Sequence, residues 1–111
     1  MPYTSLDKIK RRLNITTSEQ DGLLTDILDE VDAEINLMLS RYFQVPVQDS
    51  NLVTILSGIE ADWVAGRFRA HVEPNTLMTP EGEMREHAFV TDAKRRLRAL
   101  VDSLQTTITG V

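Results

Sequence analysis

Between Leu24 and Tyr42 one apolar position recurs every three or four residues. Leu24, Leu28, Val31, Ile35, Met38 and Tyr42 follow one another in steps of 4, 3, 4, 3 and 4. A strand cannot use this pattern, because its side chains alternate at every second residue and would send the stripe to both faces. The pattern specifies an amphipathic helix with one buried face, held for more than four turns. Ile27, Leu39 and Phe43 widen that face toward its end. Thr17 with Gln20 three residues later reads as a capping box, and Ser18 with Asp21 as a competing one. Pro46 stops the helix, since a proline pushes the residue before it, here Val45, out of the helical region. The expected rod is about 25 residues and about 37 Å long.

The flanking sequence adds three more helices and no strand. Before the long helix, Leu6, Ile9 and Leu13 share a face, with Thr4 or Ser5 as cap and Asn14 as stop. After it, Asp49 or Ser50 opens a third helix, with Leu52, Leu56, Ile59, Trp63 and Gly66 on one side and Ile55 and Val64 beside them. Ala61, Ala65 and Gly66 are small enough for a neighbouring helix to come close. Trp63 lies on the apolar stripe and is expected in the core. The periodicity fails from Ala70 to Met78, which reads as a loop. Thr79-Pro80-Glu81 resembles a helix start, although Gly82 argues for a later one. Val90, Ala93, Leu97, Leu100, Val101 and Leu104 then carry the apolar face of a fourth helix. The residues from Thr106 to Val111 are mostly β-branched or small and read as an extended or disordered tail. The expected architecture is an all-α bundle of about four helices, one domain over residues 1–105 with a tail at 106–111. A chain of 111 residues is long enough to close such a core without staples.

There is no cysteine, which removes disulfides and thiolate chemistry and suits a reducing compartment. The first residues lack the basic-then-apolar pattern of an export signal, and no apolar run approaches the roughly 20 residues that span a bilayer. The chain reads as soluble, with no membrane partner.

Charge is unevenly spread. Seven acids and no base lie between Glu19 and Glu34, namely Glu19, Asp21, Asp26, Asp29, Glu30, Asp32 and Glu34. Bases gather at Lys8, Lys10, Arg11 and Arg12, and again at Lys94, Arg95, Arg96 and Arg98. Separate acidic and basic faces allow copies of one chain to meet head to tail.

Signals of catalysis are missing. The two histidines, His71 and His87, lie in no metal-binding spacing. Glu86 and His87 are neighbours and point apart on a helix, and no nucleophile elbow or phosphate-binding glycine loop is present. Asp29, Asp32 and Glu34 on one helix do not converge as a cation cage requires. No cofactor and no metal is expected, and the chain reads as a structural or assembly part. Arg95, Arg96 and Arg98 raise the alternative of a small helical DNA-associated regulator or packaging accessory. The net charge of −5 opposes it, because duplex binding depends on neutralising phosphates.

The ordered set Leu6-Asp7-Lys8-Ile9-Lys10-Arg11-Arg12-Leu13, Asp21…Leu24…Leu28, Ala33-Glu34-Ile35-Asn36…Leu39-Ser40-Arg41-Tyr42-Phe43…Pro46 and Ile59-Glu60-Ala61-Asp62-Trp63-Val64-Ala65-Gly66 resembles the small head–tail connector (adaptor, head-completion) proteins of tailed bacteriophages and prophages. The resemblance runs from about Leu6 to Leu104. It implies a virion protein of the head–tail junction, made in the bacterial host cytoplasm. It further implies a ring of copies, commonly twelve-fold, beneath the portal protein. Such a ring extends the DNA channel, with DNA only as passing cargo, and docks a stopper or tail-completion protein. The contact residues expected from charge are Lys8, Lys10, Arg11 and Arg12 against Asp26, Asp29, Glu30 and Asp32. Arg95, Arg96 and Arg98 are expected to meet the portal or a subunit, and the tail, with Ile108 and Val111, a neighbour.

Overall fold

The computed structural model describes residues 2–77 and 86–108. Four α-helices carry the fold: α1 (Leu6–Leu13), α2 (Asp21–Leu39), α3 (Ser50–Val72) and α4 (Ala88–Ile108), with a 3-10 turn at Pro74–Leu77 after α3. There is no strand among the described residues, as the periodicity demanded.

α3 is the spine, with α1, α2 and α4 all packed against it. Its two apolar sides explain this. Leu56, Ile59, Ala61, Trp63, Val64, Ala65 and Phe68 are all buried, more of the circumference than a surface helix covers. α2 supplies Leu24, Leu28, Val31 and Ile35 from its stripe, with Ile27 and Leu39 beside them, and α4 supplies Val90, Ala93, Leu97 and Val101. Trp63 is buried, with the Lys94 ammonium 5.5 Å from its ring centre. The small residues of α3 serve the close approach expected of them. A Cβ on Gly66 would come within 2.7 Å of Val90 Cγ2 and 2.9 Å of the Val90 backbone nitrogen.

The caps show where local sequence decides and where it does not. Ser5 caps α1 by accepting from the Lys8 N–H, and Asn14 ends it in the left-handed region at φ 57°, where asparagine is tolerated. Asp49 caps α3, accepting from the N–H groups of Asn51 and Leu52 at 3.0 Å. Neither proposed capping box of α2 forms. Gln20 is the N-cap and its side chain makes no capping bond. The Asp21 carboxylate instead takes the Lys10 ammonium at 2.8 Å, a contact from outside the helix.

α2 is also shorter than its stripe suggested, 19 residues or about 28 Å. It stops at Leu39, where the Ser40 hydroxyl donates back to the Leu37 carbonyl at 2.7 Å and the N–H groups of Tyr42 and Phe43 converge on the Leu39 carbonyl. The chain tightens into a turn before Pro46 can act, in the way short hydroxyl side chains compete with a helix. Beyond Ala70, α3 continues to Val72, so the expected loop is partly helical. The proposed start at Thr79 lies outside the described residues, and the described part of α4 opens at Ala88 after His87, whose Nδ1 accepts from the Phe89 N–H at 3.1 Å. α4 runs on to Ile108, past the Thr106 boundary assigned to the tail.

Candidate assembly surface

The basic residues of α1 mostly face the rest of the chain. The Lys8 ammonium donates to Ser57 Oγ at 3.2 Å, Lys10 holds Asp21, and Arg12 pairs with Asp62 on α3. Arg11 is the exposed member, with its Nε donating to the Asp7 carbonyl at 3.4 Å. Residues expected to meet a partner thus fasten α1 to α2 and α3.

The acids of α2 divide. Asp26, Asp29 and Glu30 are exposed. Glu30 lies 3.8 Å from Arg67, which pairs more closely with Glu34 at 2.8 Å. Asp32 does not share their outer face. It is half-buried and lies against the carboxyl of Glu60 on α3, which has no exposed surface. Burial, then the adjacent Asp32 carboxyl, pushes the Glu60 carboxyl up to about 8. Glu60 Oε1 also accepts the Thr4 N–H at 2.9 Å. Next to it, the Tyr3 hydroxyl donates to Asn36 and accepts the Val47 N–H at 3.0 Å. This polar knot ties the N-terminal segment and the segment around Pro46 to the α2–α3 interface. Sequence reasoning missed it, yet a signal existed: Glu60 follows Leu56 by four residues and precedes Trp63 by three, on the buried side of α3.

The bases of α4 also divide. Arg96 pairs with Asp62 and lies 3.0 Å from Asp92. Lys94 holds Glu86 at 2.7 Å, and Arg95 pairs with Asp92 while staying largely exposed. Arg98 is exposed. Asp62 therefore receives Arg12 from α1 and Arg96 from α4, joining three helices at one carboxylate. Of Ile108 only the backbone is described, and Val111 lies outside the described residues.

An open groove of about 530 Å³ lies between the end of α2 and α4. Leu37, Met38 and Tyr42 line one side and Val101 the other, with the Arg41 and Arg98 side chains and Asp102 also bordering it. Leu37 is 73% exposed and Tyr42 40% exposed, whereas Phe43 packs against the core. Of the two neighbouring aromatics, Tyr42 is the outward one. A second groove of about 450 Å³ continues along α4 past Arg95 and shares Arg98 and Asp102 with the first.

Among the described residues no three His, Asp or Glu side chains converge on a metal position, and no described helix is long and apolar enough to cross a membrane. The surface offers contacts: an acidic stretch of α2, and an apolar groove bordered by arginines.

The family model described as "Phage gp6-like head-tail connector protein" matches residues 3–72, the span of α1 to α3. No curated protein and no solved structure matches the chain.

Proposed function

The chain belongs to the phage gp6-like head-tail connector family, and from that membership we infer that it is a ring subunit beneath the portal, extending the DNA channel and receiving a stopper or tail-completion protein. A structural role in the phage head–tail connector follows from the family itself. The ring is supported by one observation, the separation of exposed charge. Asp26 and Asp29 are exposed near the start of α2, while exposed Arg41 follows its far end, about 20 Å along the axis. Arg98 borders the same groove as Arg41. A ring needs two different faces on each subunit, one meeting the other around the circle, and exposed charge of opposite sign toward the two ends of α2 supports that reading.

The DNA-associated alternative loses most of its basic cluster. Lys94, Arg95 and Arg96 are each paired with a carboxylate of the same chain, which lowers the net positive charge this cluster offers to a duplex.

The test is the mass of the purified chain across concentration, alone and with the portal of its phage, with electron microscopy of any large species. Rings with a central hole are expected. A chain that stays monomeric in both settings overturns the ring, and duplex binding with a steep salt dependence would restore the regulator.

A further inference from the structure

We propose that the groove between the end of α2 and α4 seats the acidic first half of α2 from a second copy of this chain. The proposal rests on the ring reading and assigns its contact. Its acceptor side joins the matched span 3–72 to α4, which lies beyond it.

The groove is apolar where a monomer gains nothing from being so. The inner face of α2 is already filled by Leu24, Leu28, Val31 and Ile35, and neither Leu37 nor Tyr42 belongs to that core. An exposed leucine and tyrosine on the same wall mark a surface for contact. The electrostatics then select the occupant. The chain carries a net charge of −5, yet two arginines, Arg41 and Arg98, border this groove against one acid, Asp102. A partner that fits must bring carboxylates flanking a small or apolar side chain.

α2 itself has that arrangement. Asp26, Glu30 and Ala33 recur in steps of 4 and 3 along one exposed line of the helix, with Asp29 beside them. The acids would reach the arginines, and Ala33 would let the helix lie close to Leu37 and Tyr42. One half of α2 gives and the other receives, so every copy keeps a free half on each side. Such a contact propagates head to tail. The bases of α1 are poorer acceptors, since Lys8, Lys10 and Arg12 already have partners within the chain.

Charge reversal tests this. One variant carries Asp26→Lys, Asp29→Lys and Glu30→Lys; the other carries Arg41→Glu and Arg98→Glu. All five positions are exposed, and circular dichroism verifies that the helices persist. Each variant alone should need at least about tenfold more protein to assemble than the wild type. An equal mixture should assemble again, because in an alternating array both kinds of junction pair opposite charges. If the wild type assembles while the variants do so equally well, or the mixture fails to recover, the seat is wrong and the ring reading stands. If the wild type assembles neither alone nor on a portal, both fall together.

Discussion

The carboxyl of Glu60 on α3 faces the carboxyl of Asp32 on α2, in a position where Glu60 has no exposed surface. Two buried carboxylates repel unless a proton lies between them. Glu60 Oε2 and Asp32 Oδ1 are both buried without a hydrogen-bond partner of their own, and a shared proton satisfies both. The folded chain therefore holds a proton at neutral pH that the unfolded chain has released.

That difference fixes a sign. The folded Glu60 carboxyl titrates at about 8 against an ordinary value of 4.5, so the stability it contributes is full below 4.5 and is lost as pH rises through about 8. Glu60→Gln can still donate to Asp32 and accept from Thr4, but has no proton to lose. Urea unfolding midpoints across this window should fall with pH more steeply for the wild type than for the variant. Parallel slopes would mean that the pair does not share a proton.

Gly66 sits where α4 comes nearest to α3. Alanine gains about 1 kcal/mol of helix propensity over glycine, yet its Cβ would press on the Val90 backbone nitrogen at 2.9 Å. Backbone cannot swing aside as a side-chain tip does, so overpacking of about 1–3 kcal/mol should outweigh the gain. Gly66→Ala is expected to lower the unfolding midpoint; a midpoint raised by the substitution would show that the two helices separate freely.

The periodicity of α2 and α4, the caps Ser5, Asn14 and Asp49, and the need for small residues near Gly66 were legible in the sequence because each is local. A stripe is a property of spacing, and a cap is a property of one turn. What escaped was decided by a distant partner. Lys10 draws Asp21 away from a capping role, Asp62 draws Arg12 and Arg96 off the outer surface, and Asp32 turns toward Glu60. Charge clusters counted along the chain therefore overstated how much of it faces outward. The groove was invisible for a related reason, since it exists only where α2 ends earlier than its apolar pattern does.

Asp62 joins α1, α3 and α4, and replacing it should loosen all three. Asp62→Ala leaves Arg12 and Arg96 facing each other without a counter-charge, a loss of about 1–2 kcal/mol for charge-assisted bonds at a partly exposed site. The loss should shrink at high salt, where screening weakens the wild-type network. Thermal unfolding at low and high salt reads both effects. A variant as stable as the wild type at low salt would show that hydrophobic packing alone sets the position of α1 and α4.

Tyr42 and Phe43 are adjacent, and the turn that ends α2 sends them to opposite fates. Phe43 packs against the core, so Phe43→Ala should destabilise the monomer by about 1–3 kcal/mol, below the cost at a fully buried site. Tyr42 is 40% exposed on the groove wall, and Tyr42→Ala should leave unfolding within about 0.5 kcal/mol of the wild type. Its effect should appear in assembly, where removing an aromatic from a contact raises the concentration needed to form rings. The pair separates fold from function within a single turn. If Tyr42→Ala unfolds the chain as Phe43→Ala does, the turn is built differently from the structure described. If it changes neither stability nor assembly, the groove wall is ordinary surface and the seat for α2 must be sought elsewhere.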